Sequence, residues 1–168
     1  MVEKKQPKIF HWLDKLEVSL VTGLLGTMII VVFLQVFFRF VIKGSLPWSE
    51  ELSRYLMVWT VFIGASIGAK QGAHIGVEAL VSMFPAKLKR FCIILAGFFS
   101  VVFCIIIAII SFKVILLLYK SGQLSPAMRI PIYWAYMAIP IGMTLTSLRF
   151  IQATLNTLTM LREGERYQ

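Results

Sequence analysis

The stretch Trp48-Ser49-Glu50-Glu51-Leu52-Ser53-Arg54-Tyr55 is the densest run of polar side chains beside an apolar segment in this sequence. On a helix, Glu50 and Arg54 stand four residues apart, a spacing at which opposite charges pair. Glu51 points about 100° away from that face, toward Arg39 or a partner. Arg39, Glu50, Glu51 and Arg54 balance in sign, and charges at a membrane boundary are costly unless they pair. They are expected to form one polar cluster. Interfacial anchoring is the competing use, with Trp48 and Tyr55 in an aromatic belt. His74 and Glu78 share the i,i+4 spacing that metal ligands can use. No further ligand stands nearby, and a polar pair at a helix end accounts for both. His11 and His74 are the only histidines, whereas a haem held by two histidines needs them on facing helices. No nucleophile-with-base arrangement, phosphate loop or nucleotide fingerprint occurs. No catalytic residue, cofactor or metal is therefore expected.

The elements that carry these residues are membrane spans. Apolar residues make up 58% of the 168 and charged residues 15%, against about 25% charged in an ordinary soluble domain. The mean hydropathy is +0.82. Runs of about 20 apolar residues read as spans, and four occur, over residues 18–38, 52–69, 91–119 and 132–148. The expected fold is an all-α integral membrane protein with four transmembrane helices, residues 1–168 forming a single membrane domain. The first run is longer than the 7–15 residues of a signal-peptide core, so it reads as a retained span. Before it, Ile9, Trp12, Leu13 and Leu16 recur at helical spacing. They fit a short amphipathic helix on the membrane surface or an extension of span one. Pro47 suits the first turn of span two, and Pro140 is placed to kink span four.

The net charge of +9 raises nucleic-acid binding, but the basic residues fall between the apolar runs, as juxtamembrane charge does. Lipids, not nucleic acid, are the expected partners of that charge. Of the 17 Lys and Arg residues, eleven lie with the termini and the 70–90 connection. That asymmetry predicts both termini in the cytoplasm. All eight acidic residues lie outside the spans or at their ends. Ion-coupled transporters keep costly intramembrane carboxylates for their chemistry, and this chain keeps none there. Na⁺ held by hydroxyls and carbonyls alone stays open. Gly64, Gly68, Gly72 and Gly76 recur every fourth residue, a stripe that lets another helix approach, within the chain or from another subunit.

The order of several short motifs carries a likeness. Gln35-Val36 and Arg39 end span one, Pro47-Trp48-Ser49-Glu50-Glu51-Leu52 and Arg54-Tyr55 open span two, and Trp59, Gly64-Ala65, Lys70 and His74-Ile75 follow. Pro126, Ile130-Pro131 and Trp134 complete it. The chain resembles, over essentially its whole length, the small membrane subunit of tripartite ATP-independent periplasmic (TRAP) transporters, the DctQ-like family. The resemblance implies a bacterial inner-membrane, multi-pass, non-catalytic subunit. It implies a large membrane partner, the M subunit, holding the Na⁺ and substrate sites. It also implies a periplasmic substrate-binding protein delivering an organic acid such as a C4-dicarboxylate or a sialic acid, with a weak leaning to sialic acid. Two other readings remain: a self-sufficient homodimeric four-helix transporter, and a haem-bearing electron-transfer subunit.

Overall fold

A computed structural model describes residues 8–72 and 85–164. The described residues are almost wholly helical. Helix α1 spans Lys8–Phe40, α2 Pro47–Gly72, α3 Ala86–Ser121, α4 Tyr133–Tyr136 and α5 Ala138–Gly164. Three segments are long and apolar enough to cross a membrane: Trp12–Phe40, Pro47–Lys70 and Leu88–Ser121. They carry the first three expected spans, each running beyond its expected ends. The amphipathic N-terminal segment is no separate surface helix: from Lys8 onward it is the first part of α1. Span two begins at Pro47 as expected, where a missing N–H leaves no helical bond unmade.

The fourth expected span falls on two helices. α4 and α5 are separated at Met137, whose N–H still reaches the Tyr133 carbonyl at 3.0 Å. Pro140 explains the break. It has no N–H to offer the Tyr136 carbonyl, and its ring crowds that carbonyl. The interruption therefore lies one turn before the proline, and Pro140 itself sits in the first turn of α5, where no donor is needed.

The long helices pack in the order α1, α2, α5, α3, with no contact of comparable extent between α1 and α3. The seams are lined by small residues. Ala138, Ser66 and Cys104 are buried, as are Gly97, Gly142 and Thr146. Ser66 Oγ donates to the Ile63 carbonyl at 2.7 Å and Thr146 Oγ1 to the Gly142 carbonyl at 2.7 Å. Buried hydroxyls satisfied within their own helix leave a flush surface, which suits helix packing where van der Waals contact, not water, drives association. Large side chains point outward instead: Ile29, Ile30 and Phe33 on α1, and Phe98, Phe99 and Phe103 on α3. That inversion is what lipid or a membrane partner as solvent requires.

The turns are less ordinary. Gly122 closes α3 with φ 61°, its N–H on the Tyr119 carbonyl, the usual glycine solution for a left-handed cap. Beyond α1 that conformation falls instead to Lys43 (φ 56°), and in the loop after α3 to Arg129 (φ 54°). For a residue with a Cβ it costs about 1–2 kcal/mol.

Candidate functional site

The expected four-charge cluster divides. Glu50 and Arg54 pair at 3.2 Å, but each side chain is 68% exposed. Arg39 is exposed at the end of α1, and no hydrogen bond or ion pair joins it to Glu51. Glu51 is 8% exposed and does something else. Its Oε2 accepts the backbone N–H groups of Ala127 (2.9 Å) and Met128 (3.0 Å), while the Tyr55 hydroxyl donates to Oε1. Of these only Tyr55, four residues on, is suggested by spacing in the sequence; the other partners are main-chain groups of a loop 76 residues away. A carboxylate is well suited to the task, since its two oxygens accept several bonds at once.

That loop is built to be held. Ser125 is 2% exposed; its N–H donates to the Ile130 carbonyl at 2.8 Å and its Oγ accepts the Ile130 N–H at 3.3 Å. Leu124 and Pro131 form an isolated antiparallel bridge. Trp59 Nε1 donates to the Trp134 carbonyl at 3.2 Å, a second tie from α2 to the segment after the loop. Beneath Glu51 lies a cleft of about 610 Å³ between α2 and the α4–α5 segment, lined by Tyr55, Val58, Phe62, Ile132 and Ile139.

This geometry separates two carboxylates that the sequence makes look equivalent. Glu51→Ala is expected to release the 122–132 loop, seen as new protease cleavage there while α1–α2 stays intact. Glu50→Gln is expected to leave the loop protected, since an exposed pair contributes only about 0–1 kcal/mol. Equal protection in both variants would remove Glu51 from this role.

A second constellation lies at the far end of α2. Arg149 is 3% exposed in the middle of α5, and Glu17 on α1 is equally buried. Arg149 Nη2 donates to Glu17 Oε2 at 2.8 Å, and Nε to Oε1 at 3.3 Å. The same Nη2 reaches Asp14 Oδ1 at 2.8 Å, while Nη1 donates to Gln152 Oε1 at 3.0 Å. Lys70 of α2 pairs with the other Asp14 oxygen. Two positive and two negative charges thus tie three helices together. From sequence, Lys70 is an interface candidate, Arg149 counts as juxtamembrane charge, and Asp14 and Glu17 are acids outside the spans or at their ends; their meeting is not foreseen. The available signals were the i,i+3 spacing of Asp14 and Glu17, and an arginine far inside a helical pattern.

Lys70 and Glu51 are 19 residues apart on one helix, roughly 28 Å at 1.5 Å per residue. That is close to the roughly 30 Å of a bilayer's hydrocarbon core. The two polar constellations are thus separated by about the thickness of a hydrocarbon core, with apolar surface between them.

Other candidates scatter. Trp48 is partly exposed beside Glu50. Gly64 and Gly68 have open space where a side chain would stand, so they form no seam among the described residues. Gly72 is the last residue of α2. His74, Gly76 and Glu78 lie outside the described residues. The glycines that admit a neighbouring helix are others: a Cβ on Gly97 would strike Thr154, and one on Gly142 would stand 2.5 Å from the Phe62 carbonyl oxygen.

Comparison with known proteins places this architecture. Residues 28–160 match the family described as tripartite ATP-independent periplasmic transporters, DctQ component. The chain is 28% identical to the C4-dicarboxylate TRAP transporter small permease protein DctQ of Rhodobacter capsulatus, over 83% of this chain and 75% of that one. It is 27% identical to the ectoine TRAP transporter small permease protein TeaB of Halomonas elongata, over 72% and 63%. It is 30% identical to the sialic acid TRAP transporter permease protein SiaT of Haemophilus influenzae, covering 80% of this chain but 22% of that protein.

Proposed function

The chain belongs to the DctQ component family of tripartite ATP-independent periplasmic transporters, a family of transporter subunits and not of enzymes, and from that premise we propose that it is the small membrane subunit supporting a larger transport subunit. The observation that carries the reading is the match across residues 28–160. The partner is suggested by the sialic acid permease, in which the matching region is 22% of a longer chain. In this reading the surface offered to the large subunit lies on the outside of this helix row. Gly64 and Gly68, open on α2, are candidates for that contact, since small residues let a foreign helix come close.

In this reading four segments cross the bacterial inner membrane. The fourth is the α4–α5 segment up to Leu148, ending where Arg149 meets the Asp14 plane. The excess of Lys and Arg around the termini puts them in the cytoplasm, so the Glu51 end faces the periplasm. A periplasmic binding protein brings the solute and a Na⁺ gradient drives uptake through the large subunit. Relatives of similar identity are named for a C4-dicarboxylate, ectoine and sialic acid, which supports solute choice residing elsewhere in the transporter. An organic acid, with sialic acid and a C4-dicarboxylate as first candidates, is the proposed cargo.

The purified chain alone in proteoliposomes, given a Na⁺ gradient and a loaded binding protein, is expected to show no uptake above empty vesicles. Adding the large subunit is expected to restore it. Na⁺-driven uptake by this chain alone would overturn the reading and favour a self-sufficient homodimer.

A further inference from the structure

Five cations are exposed at the end where α1 finishes and α2 begins: Arg39, Lys43, Arg54, Lys120 and Arg129. Among the described residues only two acids lie there. Glu50 is occupied by Arg54, and Glu51 is buried against the loop. Arg39 and Lys120 stand in the last turns of α1 and α3, where a cation complements the helix dipole. That leaves Lys43 and Arg129 without a structural reason. Neither side chain has a partner among the described residues, and both sit in the left-handed conformation that glycine or asparagine would hold with less strain. These two are the only non-glycine residues among those described with positive φ, and both are long, basic and exposed. What they share is charge, kept at the expense of conformation. Strain retained at an exposed position points to a use for the side chain.

We propose that Lys43 and Arg129 are contact points for the acidic face of a soluble protein on that side of the membrane. The proposal rests on the functional reading above, in which that side is periplasmic and one component is soluble. A protein face is favoured over lipid headgroups by the construction of the platform. Arg129 rides on a loop fixed by the Glu51 carboxylate, the buried Ser125 and the Leu124–Pro131 bridge. Headgroups adapt to any basic surface, whereas fixed charges reward a partner with fixed counter-charges. Such charges act chiefly on encounter rate and on salt dependence.

The test is the double variant Lys43→Asn with Arg129→Asn, in the assembled membrane complex, with the transporter's soluble component as probe. Asparagine tolerates the left-handed conformation, so thermal stability is expected to be unchanged or raised. The association rate is expected to fall by roughly tenfold or more at low salt, with transport falling in parallel and much of the salt dependence lost. The pair Lys43→Arg with Arg129→Lys, which keeps charge and strain, is expected to retain both. An unchanged association rate in the asparagine variant would overturn the proposal, including where the variant instead loses bound anionic phospholipid. Binding and transport are read separately. A wild-type complex that binds the soluble component without transporting would sink the functional reading and leave this surface standing.

Discussion

Glutamine at position 17 is expected to cost the folded chain about 3–5 kcal/mol, the range seen when one partner of a buried ion pair is removed. The reason lies less in the lost attraction than in what remains. Arg149 is 3% exposed, and its guanidinium carries five N–H donors and no acceptor. In Glu17→Gln one amide oxygen can still accept from the guanidinium, but the amide NH2 is set against the other N–H donor, and Asp14 is left as the one carboxylate on Arg149. Arg149→Met is expected to be as damaging, because it strands Glu17. Replacing both, Glu17→Leu with Arg149→Met, is expected to recover most of the loss, since an apolar pair of similar volume often substitutes for a buried salt bridge. Asp14→Asn is expected to be milder, because Asp14 and Lys70 keep access to solvent. Thermal unfolding of the purified chain in detergent, read as a double-mutant cycle, measures the coupling. Single losses below about 1 kcal/mol, the range of surface pairs, would mean that water reaches Arg149.

That network also marks where sequence reading stopped. Hydropathy located the first three spans because an apolar run of that length has one stable environment. It placed Pro47 at a helix start for a reason local to the residue. Asp14, Glu17 and Arg149 were visible only as charges near span ends, and Lys70 as a motif residue with no named partner. Their meeting depends on α1 and α5 approaching the same end of α2, a fact of packing. Glu51 was misdirected for a related reason. It was expected to meet Arg39 or a partner, while its observed partners are the Tyr55 hydroxyl and two backbone N–H groups, which every loop residue but proline carries. The family likeness succeeded where pairwise reasoning failed, because it used the order of Gln35, Glu50, Glu51, Arg54 and Trp134 without needing to know what each touches. The break at Met137 lies between the two cases. Pro140 announced a disturbance, but the carbonyl it crowds is four residues upstream, so the disturbance appears before the proline.

Among the described residues the glycines that admit a neighbouring helix lie off the regular stripe, and that gives a sharp test. Regular spacing drew attention to Gly64 and Gly68, yet both face open space among the described residues. Gly142 and Gly97, which repeat nothing, stand where helices meet. Gly142→Ala is expected to cost about 1–3 kcal/mol, the usual range for overpacking, and to reduce recovery of the assembled complex. Its new Cβ would stand 2.5 Å from the Phe62 carbonyl oxygen, 2.6 Å from Phe62 Cβ and 2.7 Å from the Phe62 carbonyl carbon. Phe62→Ala keeps all three atoms, so it is expected to give no rescue. The strain can be relieved only by moving α5 off α2. Gly97→Ala meets a different neighbour, the side chain of Thr154. Thr154→Ala removes the hydroxyl and methyl that collide and leaves its own Cβ at 3.2 Å, a contact that a small shift relieves. The double change Gly97→Ala with Thr154→Ala is therefore expected to regain most of the stability lost by Gly97→Ala alone. Melting curves of the four variants in one detergent decide the matter. Rescue at Gly142 by Phe62→Ala, or none at Gly97 by Thr154→Ala, would show that these seams do not close on backbone and side chain as described.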